Sequence, residues 1–368
     1  MGCVILRGTA RLVLEDLMKK QIISAMLALV MLGALPLFTS CSKAEKFTEH
    51  SLELFDTATT ITGYERDEED FKEKSAMILG ELEEYHKLFD IYHKYDGMEN
   101  LCSVNELYDG AHREVTVDQR IIDMLLYAKA MHKATGGAMN VAMGSVLSLW
   151  HEYRTAGLDE PWAAELPPRE RLEEAALHTD IEDVIIDEEA KTVFLADPEM
   201  SLDVGAVAKG YAVEMVAQAL EADGVAGYVI NVGGNVRTVG AKSDEERWVV
   251  GIEDPEGDEA NPYLVYLELA GETVVTSGSY QRFYTVGDKE YHHIIDQETL
   301  MPADKYVSVS VVSRDSAQAD ALSTALFCMS LTEGLMLVEQ TPNCEALWVF
   351  ADGSQKTSTG FNGFVKRD

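Results

Sequence analysis

From residue 227 to 312 the chain is a series of short strand-like runs, opening with "GYVINV", bending at a Gly-rich turn and closing with "VSVSVV". Runs of β-branched and aromatic residues bounded by turn residues read as strands. Parallel neighbours need a crossover of a dozen or more residues between them, so strands in direct series pair antiparallel. Helix-period segments stand outside this series. Ile78, Leu82, Tyr85 and Phe89 mark an amphipathic helix over 70–92, and Ile122, Leu125, Leu126 and Met131 mark a second over 118–134, stopped by Gly136 and Gly137. A loop and helix are expected over 203–223, further helices over 315–330 and 332–340, a strand at "LELFDTATTITGY", a hairpin at "VIIDEEAKTVFLA" and a last strand at "ALWVFAD". The stretch from Trp150 to Ala176, rich in Pro, Glu and Arg, reads as peripheral. Strands in series with helices between groups predict an α+β fold, a largely antiparallel sheet core with packed helices, rather than a doubly wound parallel sheet. A hydrophobic content of 46% suffices for its core.

The first 40 residues have a different task. "MKKQIISAMLALVMLGALPLFTSC" carries two lysines, an apolar run from Ile22 to Phe38 and small residues up to Cys41, the pattern of a signal peptide with Met18 as its natural start. Its end, "FTSC", resembles a lipobox, with Phe38 where Leu is usual, and implies a lipidated, palmitate-bearing Cys41 followed by a polar tether over 41–50 and one domain over 51–368. The expected location is extracytoplasmic, anchored to the cell membrane. The leader holds four of the 30 basic and two of the 64 acidic residues, which leaves 26 against 62 and a net of −36. Such a surface repels nucleic acid, so any nucleotide ligand must meet local, well-aimed donors. Cys102, Cys328 and Cys344 form no CxxC pair, which argues against a disulfide framework and a zinc site.

Five stretches carry chemistry. In "DVGAVAKGY", a helix starting near Ala206 would place Asp203 ahead of its free amides and Lys209 at the same end, an arrangement suited to phosphate; an Asp203 N-cap beside a solvated Lys209 explains the same residues. In "INVGGNVRTVG", Gly233 and Gly234 let a ligand approach the backbone and Asn235 offers donor and acceptor, although a hairpin bend accounts for them too. "TSGSYQRFY" puts Ser277, Gly278 and Ser279 in a small-residue turn without the GxSxG elbow of a serine hydrolase. "YHHIIDQETLMPA" sets His292 and His293 on opposite faces of a strand, so one imidazole can face a site as a base, or hydrogen-bond to Asp296 at the surface. In "AQADALSTALFCMS", Asp320 and Thr324 share a helix face and offer the hard oxygens that Mg²⁺ accepts, though such pairs also arise by chance.

Taken in order, these stretches resemble the ApbE family, the FAD:protein FMN transferases, over roughly residues 50 to 365. The family's run of D-x-G-x-x-A-K-G-Y-A, G-G-N/D, S-G-x-Y-x-R, H-x-I-x-D and A-D-A-x-x-T is present in that order. The resemblance implies a T-fold-related architecture and an enzyme that moves FMN from FAD onto a threonine hydroxyl of a partner flavoprotein subunit, releasing AMP. It also implies Mg²⁺, with Mn²⁺ as an alternative, on the carbonyl of Ala206 and the side chains of Asp320 and Thr324. FAD would meet Thr57, Ala138, Met139, Asn140, Asp203, Lys209, Gly233, Gly234, Asn235, Ser277, Gly278 and Ile294, and His293 would take the acceptor's proton. Departures from the family pattern are Asp56 for Gly, Asn140 for Asp, and Gln297 and Leu300 in the turn after the histidine. Implied acceptors include membrane subunits of sodium-pumping NADH:quinone oxidoreductase and Rnf-type complexes. An FAD pyrophosphatase and a non-catalytic FAD-binding lipoprotein are the alternatives.

Overall fold

The computed structural model describes residues 44–243 and 246–367. The expected leader and the lipidated Cys41 lie outside them. Only strands of the large sheet and helices of ten residues or more are numbered. The sheet has eight strands: β1 (Glu45–Ser51), β2 (Thr59–Glu65), β3 (Tyr228–Val232), β4 (Asn235–Val239), β5 (Thr273–Gly278), β6 (Ser308–Ser313), β7 (Glu345–Val349) and β8 (Gln355–Thr357). Their order across the sheet is their order in the chain. Every neighbouring pair is antiparallel, so the sheet is a meander from which longer segments loop out and return. The series of strand-like runs forecast this pairing.

Period-two alternation gives each face its own core. Val275, Val309, Val311, Ala346 and Trp348 point to the main core beneath the helices. Val274, Val312, Leu347 and Val349 point the other way, against Ile252, Leu267 and Leu269 of a long hairpin and Phe361 near the C-terminus. The helices are α1 (Glu68–Phe89), α2 (Gln119–Ala134), α3 (Gly144–Asp159), α4 (Ala208–Ala222), α5 (Ser316–Cys328) and α6 (Leu331–Gln340). α1 starts where Asp67 accepts from the amides of Glu69 and Asp70, and it buries Phe71, Ile78, Leu82, Tyr85 and Phe89 at helical spacing. α4 packs on α5 and β4, and α5 lies on β5 and β6.

Three expectations need correction. The tether ends earlier than residue 50: Glu45–Ser51 pair with β2 along their whole length, because Thr48 and His50 meet Thr62 and Thr60 across the strands. The strand expected from Leu52 begins only at Thr59, since Phe55 and Asp56 have φ of +52° and +51° and turn the chain. The segment from Trp150 is not wholly peripheral either. Trp150 is 5% exposed and its indole N–H donates to the Leu300 carbonyl at 3.0 Å, holding α3 within a third apolar cluster.

Candidate active site

A cavity of about 440 Å³ opens where the loop before α4, the β3–β4 turn, the end of β5, residues 291–297 and one face each of α3 and α5 converge. The loop "DVGAV" is shaped by Asp203, whose Oδ1 accepts from the Gly205 amide at 2.9 Å. α4 then begins at Ala208 with no side-chain cap, so Asp203 is not an N-cap and the helix starts later than Ala206. Lys209, in the first turn, donates to the Gly205 carbonyl at 3.2 Å. Gly210 lies inside the helix rather than in a turn. Its amide, one of the donors a helix start leaves free, donates to Asp320 Oδ2 at 2.7 Å. A Cβ at that position would stand 2.3 Å from Asp320 Cβ and 2.4 Å from the Ser316 carbonyl oxygen, so glycine is what lets α4 and α5 approach.

Asp320 is 5% exposed, and burial pushes its carboxyl upward, opposed only by Lys209 and the Gly210 amide. Thr324, one turn on, is half-buried, and its hydroxyl makes no hydrogen bond to a described residue. Ser323 is turned away from that pair, with its hydroxyl 2.8 Å from that of Ser277 on β5. Asp320, Thr324 and Ala206 line the same cavity. A buried carboxylate without an ion pair, beside a free hydroxyl and a backbone carbonyl, fits a hard divalent cation that takes its remaining ligands from phosphate and water.

At the β3–β4 turn Gly233 has φ of +56°, and a Cβ there would meet Thr57 Oγ1 at 2.4 Å, so the glycine brings Thr57 against the cavity wall. Gly234 does not line the cavity; its amide donates to Asn231 Oδ1 at 3.1 Å and serves the turn. Asn235 is buried, with Oδ1 accepting from the Ser316 hydroxyl at 2.6 Å and Nδ2 left without a partner. That donor suits a ligand acceptor. Ala138, Met139 and Asn140 also line the cavity, but the Asn140 amide is committed: Nδ2 donates to the Thr179 carbonyl and Oδ1 accepts from the Ala142 amide, both at 2.9 Å. Ser277, Gly278 and Ile294 complete the expected lining.

The histidines have separate roles. His292 is occupied on both nitrogens, with Nε2 at 2.7 Å from the Ala303 carbonyl and Nδ1 accepting from the Ile294 amide at 3.2 Å. His293 keeps Nε2 free, with Nδ1 3.3 Å from the Arg282 carbonyl. Burial first, then the positive charges of Arg282, Lys209 and Arg154, lower His293 to about 3, so it is neutral in the open cavity. Asp296 is not its partner, because that carboxylate holds Lys305 at 2.7 Å.

One wall escaped the sequence reading. Met143, Leu147, Trp150, His151 and Arg154 line the cavity at positions i, i+4, i+7, i+8 and i+11, a single face of α3 and its N-terminus. Tyr92 stacks on His151 with centroids 5.3 Å apart, and Arg282 closes the rim with a bond from Nη2 to the Asp56 carbonyl at 3.0 Å. The helical spacing from 143 to 154 was a readable signal.

A meander sheet whose seam gathers one buried carboxylate, a free threonine hydroxyl, unpaired cations and a neutral histidine defines an enzyme of the phosphoryl-transfer class. The sequence carries this further. A family model described as "ApbE family" matches residues 55–348, and the chain belongs to that family. It is 33% identical over 272 residues to an FAD:protein FMN transferase of Klebsiella pneumoniae (strain 342), covering 72% of this chain and 81% of that protein. It is 35% identical over 260 residues to an FAD:protein FMN transferase of Treponema pallidum (strain Nichols), covering 67% and 70%. Among solved structures, the ApbE protein of Thermotoga maritima superposes with a TM-score of 0.75 at 28% identity, over 88% of this chain and all of that one. The flavin transferase ApbE of Vibrio cholerae gives 0.71 at 25% identity, over 87% and 99%.

Proposed function

We propose that this chain transfers FMN from FAD to a threonine hydroxyl of a partner flavoprotein, releasing AMP. The observation that carries this reading is the convergence, in one cavity, of Asp320, Thr324, Lys209, Asn235 and His293 from four separate segments. The relatives named as FAD:protein FMN transferases support it. In the transfer, the acceptor oxygen forms a bond to the FMN phosphorus. The bridging P–O bond breaks, AMP leaves with the bridging oxygen, and the hydroxyl proton passes to His293. Asp320, Thr324 and the Ala206 carbonyl would hold Mg²⁺, which when bound neutralises pyrophosphate charge and makes AMP a better leaving group. Burial is the largest cause that lowers His293, and the charges of Arg282, Lys209 and Arg154 add to it; bound phosphate would offset the charges and so raise the basicity of the imidazole in the complex.

The leader and Cys41 support an extracytoplasmic, lipid-anchored location, where subunits of sodium-pumping or Rnf-type redox complexes would be accessible acceptors. The test is to incubate the full chain with FAD, Mg²⁺ and a flavoprotein subunit carrying an acceptor threonine, then follow flavin fluorescence on a denaturing gel together with AMP. A Mg²⁺-dependent fluorescent band with stoichiometric AMP is expected. AMP with no band for any acceptor would make the protein an FAD pyrophosphatase, and bound FAD with neither signal would make it a flavin carrier.

A further inference from the structure

The turn that follows His293 is built without the residues that usually make turns. Ile295 pairs with Pro302 and Asp296 with Met301 in a small hairpin, and its loop, from Gln297 to Leu300, contains neither Gly nor Pro. Leu300 takes a φ of +58°, in the left-handed region that favours glycine, and it is buried. A bulky residue keeps that conformation only where its surroundings over-determine it, and such positions concentrate at functional sites. The loop is held from several sides. Asp296 Oδ1 accepts from the Glu298 and Thr299 amides at 2.9 and 3.3 Å, and Lys305 donates to Oδ2 at 2.7 Å. The Trp150 indole donates to the Leu300 carbonyl and the Arg169 guanidinium to that of Thr299.

One contact of this loop reaches another wall of the cavity. Gln297, half-buried and part of the lining, donates from Nε2 to the carbonyl of Gly137. Gly137 stands directly before Ala138, Met139 and Asn140, which line the cavity, and has a φ of +93°. A Cβ at that position would stand 3.2 Å from Gln297 Nε2 and 3.6 Å from His132 Cε1, so the backbone is closely held there. His132 fixes the same segment from α2, with Nδ1 3.0 Å from the Met139 carbonyl. Among the described residues, the Gln297 bond is the one hydrogen bond between residues 137–140 and residues 291–300. We propose that Gln297 is a positioning residue for flavin transfer, whose amide fixes the spacing between the hairpin that carries His293 and the wall from Ala138 to Asn140. The proposal rests on the flavin-transfer reading, in which that wall meets FAD and His293 takes the acceptor's proton. A base must stand within one hydrogen bond of the proton it takes, and a misplacement of about 1 Å can cost about 100-fold in rate. A bond between two walls acts on that distance without touching the reacting atoms, so it governs kcat more than FAD affinity.

The test compares the full chain as wild type, as Gln297→Met, which keeps the side-chain length without a donor, and as Gln297→His, whose Nε2 can donate over a similar reach. Each is measured for equilibrium FAD binding, fluorescence anisotropy of the bound flavin, and transfer kinetics with Mg²⁺ and an acceptor subunit. Gln297→Met is expected to lower kcat by about 10- to 100-fold and to lower the anisotropy, with Kd for FAD within about threefold of wild type. Gln297→His should recover most of both. Weakened FAD binding with kcat unchanged would overturn the proposal, because the glutamine would then contact the ligand. A kcat within about twofold of wild type in Gln297→Met would overturn it as well. So would equal losses in both variants, which would assign the effect to packing rather than to the bond. If the wild type binds FAD but transfers no flavin, the transferase reading fails and the anisotropy decides the bridge by itself. A lower value in Gln297→Met that returns in Gln297→His would support the bridge, and equal values in all three proteins would sink it.

Discussion

Asp320→Asn separates the charge of the buried carboxylate from its hydrogen bond. The asparagine carbonyl can still accept from the Gly210 amide, now 2.7 Å from Oδ2, so the contact between α4 and α5 survives. Burial raises the carboxyl in the folded state, and a raised group stabilises the fold below its unfolded pKa and loses that contribution as pH rises through the folded value. At pH 7 without divalent cation, Asp320→Asn should therefore be at least as stable as wild type. Mg²⁺ should reverse the order. At a concentration about 100 times Kd, a ligand that binds only the folded state adds about 2.7 kcal/mol. With an unfolding entropy of about 2.1 cal/mol/K per residue over the roughly 320 described residues, that gain raises Tm by about 4 °C. Thermal unfolding with and without Mg²⁺, run beside the flavin-transfer gel, is the assay. Wild type should shift by about 4 °C and transfer FMN, and Asp320→Asn should shift by under about 1 °C and transfer none. An equal Mg²⁺ shift in both proteins would refute the metal assignment. Lower stability of the variant without cation would refute the desolvation argument. Asp320→Ala is a poorer probe, because it leaves the Gly210 amide buried and unpaired at about 1–3 kcal/mol.

Two further outcomes follow from other groups. His293 is lowered to about 3, below its unfolded value, so the unfolded chain binds the extra proton first and the fold should lose stability as pH falls from about 6.5 towards 3; His293→Gln should flatten that part of the Tm-against-pH curve, and an unchanged slope would show that other groups set it. The Arg237 and Glu214 side chains are each 3% exposed and 3.0 Å apart. Arg237→Ala should cost about 3–5 kcal/mol by leaving a buried carboxylate without its counter-charge, and a denaturant midpoint within error of wild type would contradict that account.

The sheet was legible because its information is local. Trp348 and Val349, or Val311 and Val312, are adjacent apolar residues that the pleat sends to different cores, and unbroken apolar runs of that length report a strand covered on both sides. Most helices were legible from apolar spacing along them, with Asp67, Asp118 and Asp315 at three of the starts, but α3 was not expected. β1 was missed because Phe47 is its one apolar residue and every side chain in it is exposed or half-exposed, too little for a burial pattern to show. What makes it a strand is the free edge of β2, a tertiary fact.

The site divides in the same way. Asp203, Lys209, Asn235, Asp320 and Thr324 stand in ordered motifs, and the cavity brings them together. Gly210 is a packing glycine that the motif does not reveal, because its function depends on how close another helix comes, and no local pattern records that distance. The arginines were hidden for a further reason. A net charge of −34 describes the whole chain and pointed away from anions, yet ionic strength screens distant surface charges within about 8 Å at physiological salt. Inside the cavity the relevant quantity is which charges are paired, and pairing is fixed by the fold. Arg154 shows this: its guanidinium bonds His151 at 2.9 Å and has no carboxylate within 4.0 Å among the described residues, in a chain with twice as many acids as bases.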